Sequence, residues 1–300
     1  MDGRGRAAGV GALALSGFMF GSTFVVVQDA VERAEVVPFL AVRFLVGAAV
    51  LAPLAFRGPA TPGVARHGII GGVVLLAGYV FQTVGLQHTT PATSAFITYL
   101  LVVLVPVIVA VRTRSFPPRN VVFGVVLAVA GLVALVGGVG AFGRGEILTL
   151  LCAFAFAVHL LIVGEVADRH DAFRFTFWQV VTVGALCLVP GFFAGSGPGA
   201  GYSFDGGVWV AAVFCGVGPT AVAFWGMSWG QRVVPEAQAA IVLLLEPVSA
   251  AVIGVIAGDS IGLRGVTGAV LILAAVLVSE LGGRRVGAVG SELAVASETG

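Results

Sequence analysis

The sequence predicts an all-α integral membrane protein of ten transmembrane helices, arranged as two inverted five-helix repeats. Three observations predict this fold: the composition, a series of long charge-free segments, and an internal duplication. Of the 300 residues, 58% are hydrophobic and only 10% are charged, whereas about 25% are charged in an average soluble protein. A soluble fold of this length has too little interior to hide that much apolar surface. We therefore expect the chain to lie in a lipid bilayer.

Composition also excludes several classes of function. The formal net charge is +1, so the chain lacks the basic field that would bind nucleic acid. All 16 cationic residues are arginines, a bias typical of GC-rich bacterial genomes, which removes lysine-dependent chemistry. Cys152, Cys187 and Cys215 lie in separate apolar runs, and this odd, widely spaced set indicates packing residues rather than a disulfide framework. We predict no metal site and no cofactor.

A transmembrane helix needs about 20 mainly apolar residues, and the sequence supplies ten such segments in order. The first half contains spans over about 7–28 and 37–56, two spans within the charge-free run 67–111, and one over 119–138. The run 67–111 divides at Gln87–Pro91, because proline favours the first turn of a new helix. The second half contains spans over about 146–165, 173–194, 207–230, 235–257 and 262–281.

The placement of arginine predicts the orientation of the chain. If the N-terminus is cytoplasmic, the inside segments hold twelve arginines, the outside loops hold three, and Arg43 lies within a span. Positively charged residues concentrate in cytoplasmic loops. We therefore predict a multi-pass protein of the bacterial inner (cytoplasmic) membrane with both termini in the cytoplasm. Residues 283–300 form a polar cytoplasmic tail that we expect to be disordered.

Self-comparison indicates that the chain is internally duplicated. The segment Gln87–Ile97 matches Gln231–Ile241 at an offset of 144 residues. The same offset pairs single residues in the later helices of each copy: Gly124 with Gly268, Leu127 with Leu271 and Ala130 with Ala274. In the earlier helices the offset is 136, and it pairs Phe20 with Phe156, Phe39 with Phe175 and Arg43 with Gln179. The change of offset falls near the glycine-rich connector Gly195–Gly201, where an insertion is tolerated.

The duplication predicts two domains, a first repeat over 7–138 and a second over 146–282. Because each repeat holds an odd number of helices, the two copies must have opposite orientations in the membrane. Many secondary transporters are built from such inverted repeats, and their substrate site lies near the midplane between the copies. A passive channel with inverted repeats remains an open alternative at this point.

The chain resembles bacterial EamA-type members of the drug/metabolite transporter superfamily over about residues 10–282. The resemblance is carried by short motifs in both copies: Gly21-Ser22, Arg43, Gly85–Ile97 leading to Pro106, Pro235–Ile241, Leu245-Glu246-Pro247, Gly258-Asp259 and Gly268. It implies a ten-helix carrier of a small organic metabolite or drug, often an exporter, without an ATPase. The sequence departs from the family at Phe20, where tryptophan is common, and at Val111–Pro117, which lacks the family's Gly-Glu.

Two charged residues, Arg43 and Glu246, lie within predicted spans and away from the span ends, where an intramembrane charge costs roughly 2.5–3.5 kcal/mol. Arg43, about 9 Å from the outer end of its helix, is suited to clamp a substrate carboxylate or phosphate, or else to snorkel or pair with a neighbour. Glu246, near the middle of the ninth span and followed by Pro247, is suited to bind an amine or a proton, or to form a structural ion pair.

Uncharged side chains supply the remaining candidates for the transport path. His159, which occupies the position corresponding to Thr23, either relays protons or is hydrogen-bonded between helices. The other candidate path and wall residues are Ser22, Thr23, Gln82, Thr98, Tyr99, Gln179, Thr182, Gln238, Trp178 and Trp225. Trp178, Trp225 and Trp229 either wall the cavity or belong to an interfacial aromatic belt, and the belt is favoured for Trp229.

Proline and glycine positions predict kinks and close helix contacts. Pro106 and Pro247 are predicted kink positions. Three Gly-x-x-x-Gly pairs are predicted close-packing faces: Gly17–Gly21, Gly68–Gly72 and Gly254–Gly258.

The sequence therefore favours a secondary transmembrane transporter, an exporter of a small organic solute that works by alternating access. A passive channel is the alternative. A membrane-embedded enzyme is less favoured, because no His-Glu-x-x-His motif and no Gly-x-Ser-x-Gly within a span is present. We expect a small-molecule substrate and the lipid bilayer as partners and no nucleic acid, and we leave open a homodimer. Substrate and coupling ion are not encoded in any motif.

Overall fold

The computed structural model describes residues 3–138, 141–166, 169–234, 239 and 242–279, and the regular structure in these ranges is helical. Eight helical segments are long and apolar enough to cross a membrane, and two shorter apolar helices, Leu245–Ile256 and Leu263–Ser279, occupy the ninth and tenth predicted spans. The predicted all-α membrane fold of ten helices is confirmed. Gln238 and the tail 283–300 lie outside the described residues.

The helices of the first half are α1 (Gly3–Val31), α2 (Val36–Ala55), α3 (Val64–Leu86), α4 (Pro91–Tyr99), α5 (Leu101–Arg112) and α6 (Arg119–Val136). Those of the second half are α7 (Arg144–Val166), α8 (Ala172–Phe192), α9 (Gly206–Cys215), α10 (Phe224–Val233), α11 (Leu245–Ile256) and α12 (Leu263–Ser279). The fourth span consists of α4 and α5. The eighth span joins α9 to α10 through a π-helical turn over Gly216–Ala223 that contains Pro219.

Local sequence determines where several helices begin. Helix α3 ends at Leu86 and α4 begins at Pro91, as the proline in this segment predicted. The Thr90 side chain accepts a hydrogen bond from the Thr93 backbone N–H (3.2 Å), so it caps α4. Asp171 and Asp205 cap α8 and α9 in the same way, because a short oxygen-bearing side chain satisfies an unpaired amide of the first turn.

Helices α6 and α12 show that the two halves are related by a two-fold axis. A Cβ atom added to Gly124 would meet the Ser279 side chain, and one added to Gly268 would lie 2.4 Å from the Leu135 backbone nitrogen. The offset of 144 converts Gly124 into Gly268 and Leu135 into Ser279, so each contact is a copy of the other. Reciprocal contacts of this kind are the mark of two-fold symmetry.

The direction of these two helices places that axis in the membrane plane. Gly124, early in α6, contacts the end of α12, whereas Leu135, late in α6, contacts Gly268 near the start of α12. Symmetry-related helices that run antiparallel must be exchanged by an axis perpendicular to them. The repeats are therefore inverted with respect to each other.

The contacts that the second and third helices of each repeat make with the other repeat also obey the two-fold symmetry. A Cβ on Gly72 would lie 2.7 Å from the Gln179 carbonyl oxygen, and a Cβ on Gly216 would lie 2.6 Å from the Arg43 carbonyl oxygen. Gly72 and Gly216 are 144 residues apart, and Arg43 and Gln179 are 136 apart. The backbones of the two copies thus cross at equivalent, glycine-lined points.

The fourth and ninth spans are interrupted at equivalent residues. Leu100 and Leu244 are 144 residues apart and have nearly identical dihedral angles, φ −57° with ψ −15° and −14°. The interruption lies six residues before Pro106 and three before Pro247, so the helix ends before each predicted kink. Both leucines belong to one apolar cluster, which brings the two interruptions together.

Two of the three predicted glycine faces pack closely and the third does not. A Cβ on Gly21 would lie 2.3 Å from the Glu246 carbonyl oxygen, and one on Gly68 would lie 2.4 Å from the Trp178 Cβ. The prediction for Gly254–Gly258 is wrong: a Cβ added to Gly258 would have no described atom within 4 Å, and Gly258, with φ +111°, ends α11 in the left-handed conformation. Glycine serves there as a helix C-cap.

Loops predicted to share one side of the membrane contact one another. At one end, which we call the outer end, Arg33 pairs with Asp205 (2.8 Å) and the Gln87 side chain donates to the Val31 carbonyl (3.0 Å). At the opposite, inner end, Arg112 pairs with Glu165. Further contacts at the inner end join Arg174 to Ala55 and Asn120 to Ser279. This pairing agrees with an even number of spans.

Candidate functional site

Arg43 is buried where the two repeats meet. Its side chain extends from α2 and is 2% exposed, so it does not snorkel to the surface. The Nε group donates a hydrogen bond to the Thr220 hydroxyl (3.1 Å) in the π-helical turn of the other repeat. The guanidinium carbon lies 4.9 Å from the centre of the Tyr79 ring and 5.5 Å from that of Phe44, within cation–π range.

An aromatic cluster surrounds this arginine and straddles the two-fold axis. It consists of Phe20, Phe44, Tyr79, Phe156 and Phe224, which belong to five different helices. Phe20 packs against Phe224 (5.2 Å between centroids), Phe156 packs against Tyr79 (5.3 Å), and Tyr79 lies 6.5 Å from Phe224. Phe20 and Phe156 correspond at the offset of 136, so each copy contributes an equivalent ring.

Sequence reasoning did not place most of this cluster in the site. Thr220 and the aromatic residues other than Phe20 and Phe156 carry no motif, and phenylalanine is common throughout the chain, with 21 residues. The sequence signal for the cluster was the offset of 136 that pairs Phe20 with Phe156. Equivalent residues of the two copies meet at the centre of the protein when they lie close to the two-fold axis.

Glu246 lies in the first turn of α11, immediately after the interruption at Leu244. Its side chain is partly buried, and within the described ranges its carboxylate has no hydrogen-bond or ion-pair partner. A direct Glu246–Arg43 pair is therefore not formed in this structure. The equivalent residue in the first copy is Val102, so only one of the two interruptions carries an acid.

His159 and Gln179 form a buried hydrogen bond between α7 and α8. His159 Nε2 donates to Gln179 Oε1 at 2.6 Å. Gly71 gives this amide room, because a Cβ there would lie 3.0 Å from Oε1. The equivalent positions in the first copy are Thr23 and Arg43, so the centre of the protein is chemically asymmetric although its backbone is symmetric.

Three of the candidate hydroxyl groups bond to their own helix. Ser22 donates to the Met19 carbonyl (2.8 Å), Thr23 to the Phe20 carbonyl (2.6 Å), and Thr182 to the Trp178 carbonyl (2.6 Å). Such bonds use the only donor of each hydroxyl. These three hydroxyl groups thus have their donors satisfied within their own helices.

Gln82, Thr98 and Tyr99 lie on the side of the centre formed by α3 and α4. The Gln82 amide donates to the Thr98 hydroxyl (3.3 Å), and Thr98 also contacts the Cys152 thiol of α7 (4.0 Å). Tyr99 is buried at the end of α4. The contact between Thr98 and Cys152 joins the first repeat to the second.

The candidate tryptophans lie away from the aromatic cluster. Trp225 stacks between Phe173 (5.3 Å) and Trp229 (6.2 Å) towards the inner end. Trp178 packs on Gly68 and next to Phe177 (5.6 Å). Neither ring is in contact with Arg43 in the described coordinates.

The outer end carries an exposed charge cluster. Arg33 binds Asp29 and Asp205, and its hydrogen bond with Asp29 is the main reason that the pKa of Arg33 is raised. The pKa of Asp205 is lowered, first by the hydrogen bond from the Val208 backbone N–H and then by Arg33. This contact is therefore charged at any pH near neutrality.

The inner end carries an uncharged counterpart of that contact. Thr61 lies 144 residues before Asp205, and its hydroxyl is 2.7 Å from His170 Nδ1, while His170 Nε2 is 2.8 Å from His67 Nδ1. Burial lowers the pKa of His170 below the ordinary histidine value of about 6.5, and His67 and Arg169 lower it further. The facing nitrogens need at least one unprotonated acceptor, so the contact holds at neutral pH.

Acidification should open this inner contact. Because the neutral form of His170 is favoured in the folded protein, the contact is present above the ordinary histidine pKa and is lost as the pH falls below the lowered value. Spin labels on the exposed residues Ala60 and Gly164 should move apart between about pH 7.5 and pH 5. His67→Gln should remove this dependence and His88→Gln, at the outer end, should keep it; a distance independent of pH in the wild type would contradict the prediction.

The described residues contain no group of three or more histidine, cysteine or acidic side chains that could hold a metal ion. The three cysteines are buried free thiols. The chemistry at the centre consists of a guanidinium, aromatic faces, an unpaired carboxyl group and neutral amides. Such groups are suited to bind an organic solute through charge, hydrogen bonds and ring contacts.

Known proteins match this chain along most of its length. The EamA-like transporter family matches residues 7–137 and 143–281. A protein of Archaeoglobus fulgidus described as an uncharacterized transporter is 30% identical over 270 residues, covering 90% of this chain and 84% of that protein. A second uncharacterized transporter of that organism is 26% identical over 274 residues, covering 90% and 96%.

A solved crystal structure shares the arrangement of helices. The superposition has a TM-score of 0.64 at 21% sequence identity and covers 91% of this chain and 97% of that chain. At this identity the similarity establishes the fold alone.

Proposed function

Because this chain belongs to the EamA-like transporter family, we propose that it is a secondary carrier that exports a small organic solute by alternating access. The observation that carries the proposal is the set of reciprocal contacts between the repeats, such as Gly124 with Ser279 and Gly268 with Leu135. A two-fold axis in the membrane plane exchanges the two ends of the protein. Packings open to either side are then nearly equivalent.

The contacts at the two ends support alternation between them. The outer end is closed by the Arg33–Asp205 ion pair and the inner end by the His67–His170 contact. Both contacts join the first repeat to the second. A rocking motion of the repeats would break one contact while keeping the other, which is the requirement for a carrier.

The test is counterflow of the native solute in proteoliposomes. Untargeted comparison of metabolites in cells with and without the protein identifies the solute, and vesicles loaded with it are then given a radiolabelled trace outside. In the case of a carrier, label accumulates transiently inside the vesicles, because each outward step with unlabelled solute returns a binding site that takes up label from outside. The flux through a carrier also saturates with solute concentration. Flux that rises linearly and never drives counterflow would establish the passive channel instead.

We also propose that the repeats extend over 7–138 and 146–282 and that both termini are cytoplasmic in a bacterial inner membrane. The arginine distribution supports the orientation. Cysteines introduced at Ala7 and Gly282 should react with an impermeant reagent from the same side. Labelling from opposite sides would contradict an even number of spans.

A further inference from the structure

The Arg43 guanidinium is a buried cation without a counter-anion. It is 2% exposed, and no carboxylate in the described part of the chain lies within ion-pair distance of it. Of its donors, only Nε has a hydrogen-bond partner there, the Thr220 hydroxyl. Burying an unpaired charge is costly, so both terminal nitrogens are available for an anion from outside the protein.

The π-helical turn fixes the direction of this guanidinium. A Cβ on Gly47 would lie 2.8 Å from the Thr220 methyl carbon, and a Cβ on Gly216 would lie 2.6 Å from the Arg43 carbonyl oxygen. These close approaches pack the turn against α2 between Arg43 and Gly47. With Nε held by Thr220, the remaining edge of the fork presents two parallel donors, the geometry that matches a carboxylate.

The surroundings of the free edge indicate what the anion is attached to. Tyr79 and Phe44 flank the guanidinium, and their rings meet edge to face at 4.7 Å. A ligand atom next to the bound anion can therefore contact the aromatic carbons of Tyr79 and Phe44. The equivalent position in the other repeat is the neutral Gln179, which is already bonded to His159, so the centre offers one anion site and not two.

We propose that the solute is a monoanion, a carboxylate with an apolar body, which Arg43 binds and which Thr220 positions by holding Nε. This inference rests on the proposed carrier function, because the site opens only when the aromatic cluster separates. Arg43 contacts the ligand and Thr220 is a positioning residue. Since Arg43 belongs to one repeat and Thr220 to the other, the bond between them also couples anion binding to the relative position of the repeats.

The experiment measures binding without transport. Purified protein is titrated with benzoate, with the neutral isostere benzamide, and with acetate, and the thermal midpoint of unfolding is followed. Benzoate should raise the midpoint saturably, benzamide should not, and acetate should act only at much higher concentration. Equal effects of benzoate and benzamide would overturn the proposal.

Four variants separate the roles of the two residues. Arg43→Gln, which copies the residue of the other repeat, should abolish the benzoate effect. Thr220→Val should weaken benzoate binding by roughly tenfold, the loss of one hydrogen bond to a charged group, and Thr220→Ser should restore it. Arg33→Gln, at the outer end, should bind as the wild type does. If Thr220→Val bound benzoate as the wild type does, Thr220 would have no positioning role. This outcome can be read even if Arg43→Gln fails to fold.

This design separates two kinds of failure. Benzoate binding that depends on Arg43, in a protein without counterflow, would reject the carrier and keep the anion site. Counterflow without anion-selective binding would keep the carrier and reject the site.

Discussion

Gly21→Ala should destabilise the protein more than any other single-methyl change in α1. The added Cβ would lie 2.0 Å from the Ser249 hydroxyl oxygen and 2.3 Å from the Glu246 carbonyl oxygen. The second atom belongs to the backbone, so α1 and α11 must separate to make room. Overpacking of this kind costs about 1–3 kcal/mol or more, and the thermal midpoint of the purified protein should fall accordingly.

Gly11→Ala is the matched control in the same helix. No atom of the residues that the structure describes lies within 4 Å of a Cβ at Gly11, and alanine is the better helix former, so this variant should be as stable as the wild type or slightly more stable. The second copy carries Ala157 at the position equivalent to Gly21, which shows that the requirement for glycine comes from the partner helix. Equal stability of the two variants would contradict the contact described here.

Glu246→Gln should abolish proton-driven flux and leave solute exchange largely intact. The carboxyl group lies in a membrane span, in the first turn after the interruption at Leu244. It has no hydrogen-bond or ion-pair partner among the residues described, so protonation would break no existing contact. Intramembrane acids of this kind mark proton relays in transporters. The measurement is flux driven by a pH gradient, compared with exchange at equal pH.

Glu146→Gln provides the comparison for this experiment. Glu146 lies at the outer end, where it accepts hydrogen bonds from Thr89 and from the Gly143 backbone N–H. Its carboxylate is committed to that contact, so proton-driven flux should persist in the variant. If Glu246→Gln retained the full dependence on the pH gradient, Glu246 would have no part in coupling.

The symmetry of the backbone and the asymmetry of the side chains have separate consequences. In the proposed carrier, the equivalent crossings at Gly72 and Gly216 would keep the inward-open and outward-open packings close in energy. The central charges break that equivalence: Arg43 corresponds to Gln179, and Glu246 corresponds to Val102. Such a difference would let the two packings bind the solute with different affinity, whereas the gradients across the membrane would set the direction of net transport.

The number, order and approximate bounds of the spans could be predicted from the sequence alone. Transfer of apolar residues into lipid and the conformational restriction imposed by proline act locally, so the break before Pro91 could be predicted from its own neighbourhood. The duplication was also readable, because the offsets of 136 and 144 are properties of the chain alone. An odd number of helices in each copy then required the inversion.

The partners of the central residues depend on how the two repeats pack. Arg43 binds Thr220, which is 177 positions away, and the aromatic cluster draws on five helices, where only the pair Phe20 and Phe156 is linked by the repeat offset. The helix interruptions fall at Leu100 and Leu244, six residues before Pro106 and three before Pro247, and Gly258 caps a helix instead of packing on one. These outcomes depend on which surfaces meet when the repeats associate, and contact energies between distant segments leave no local pattern in the chain.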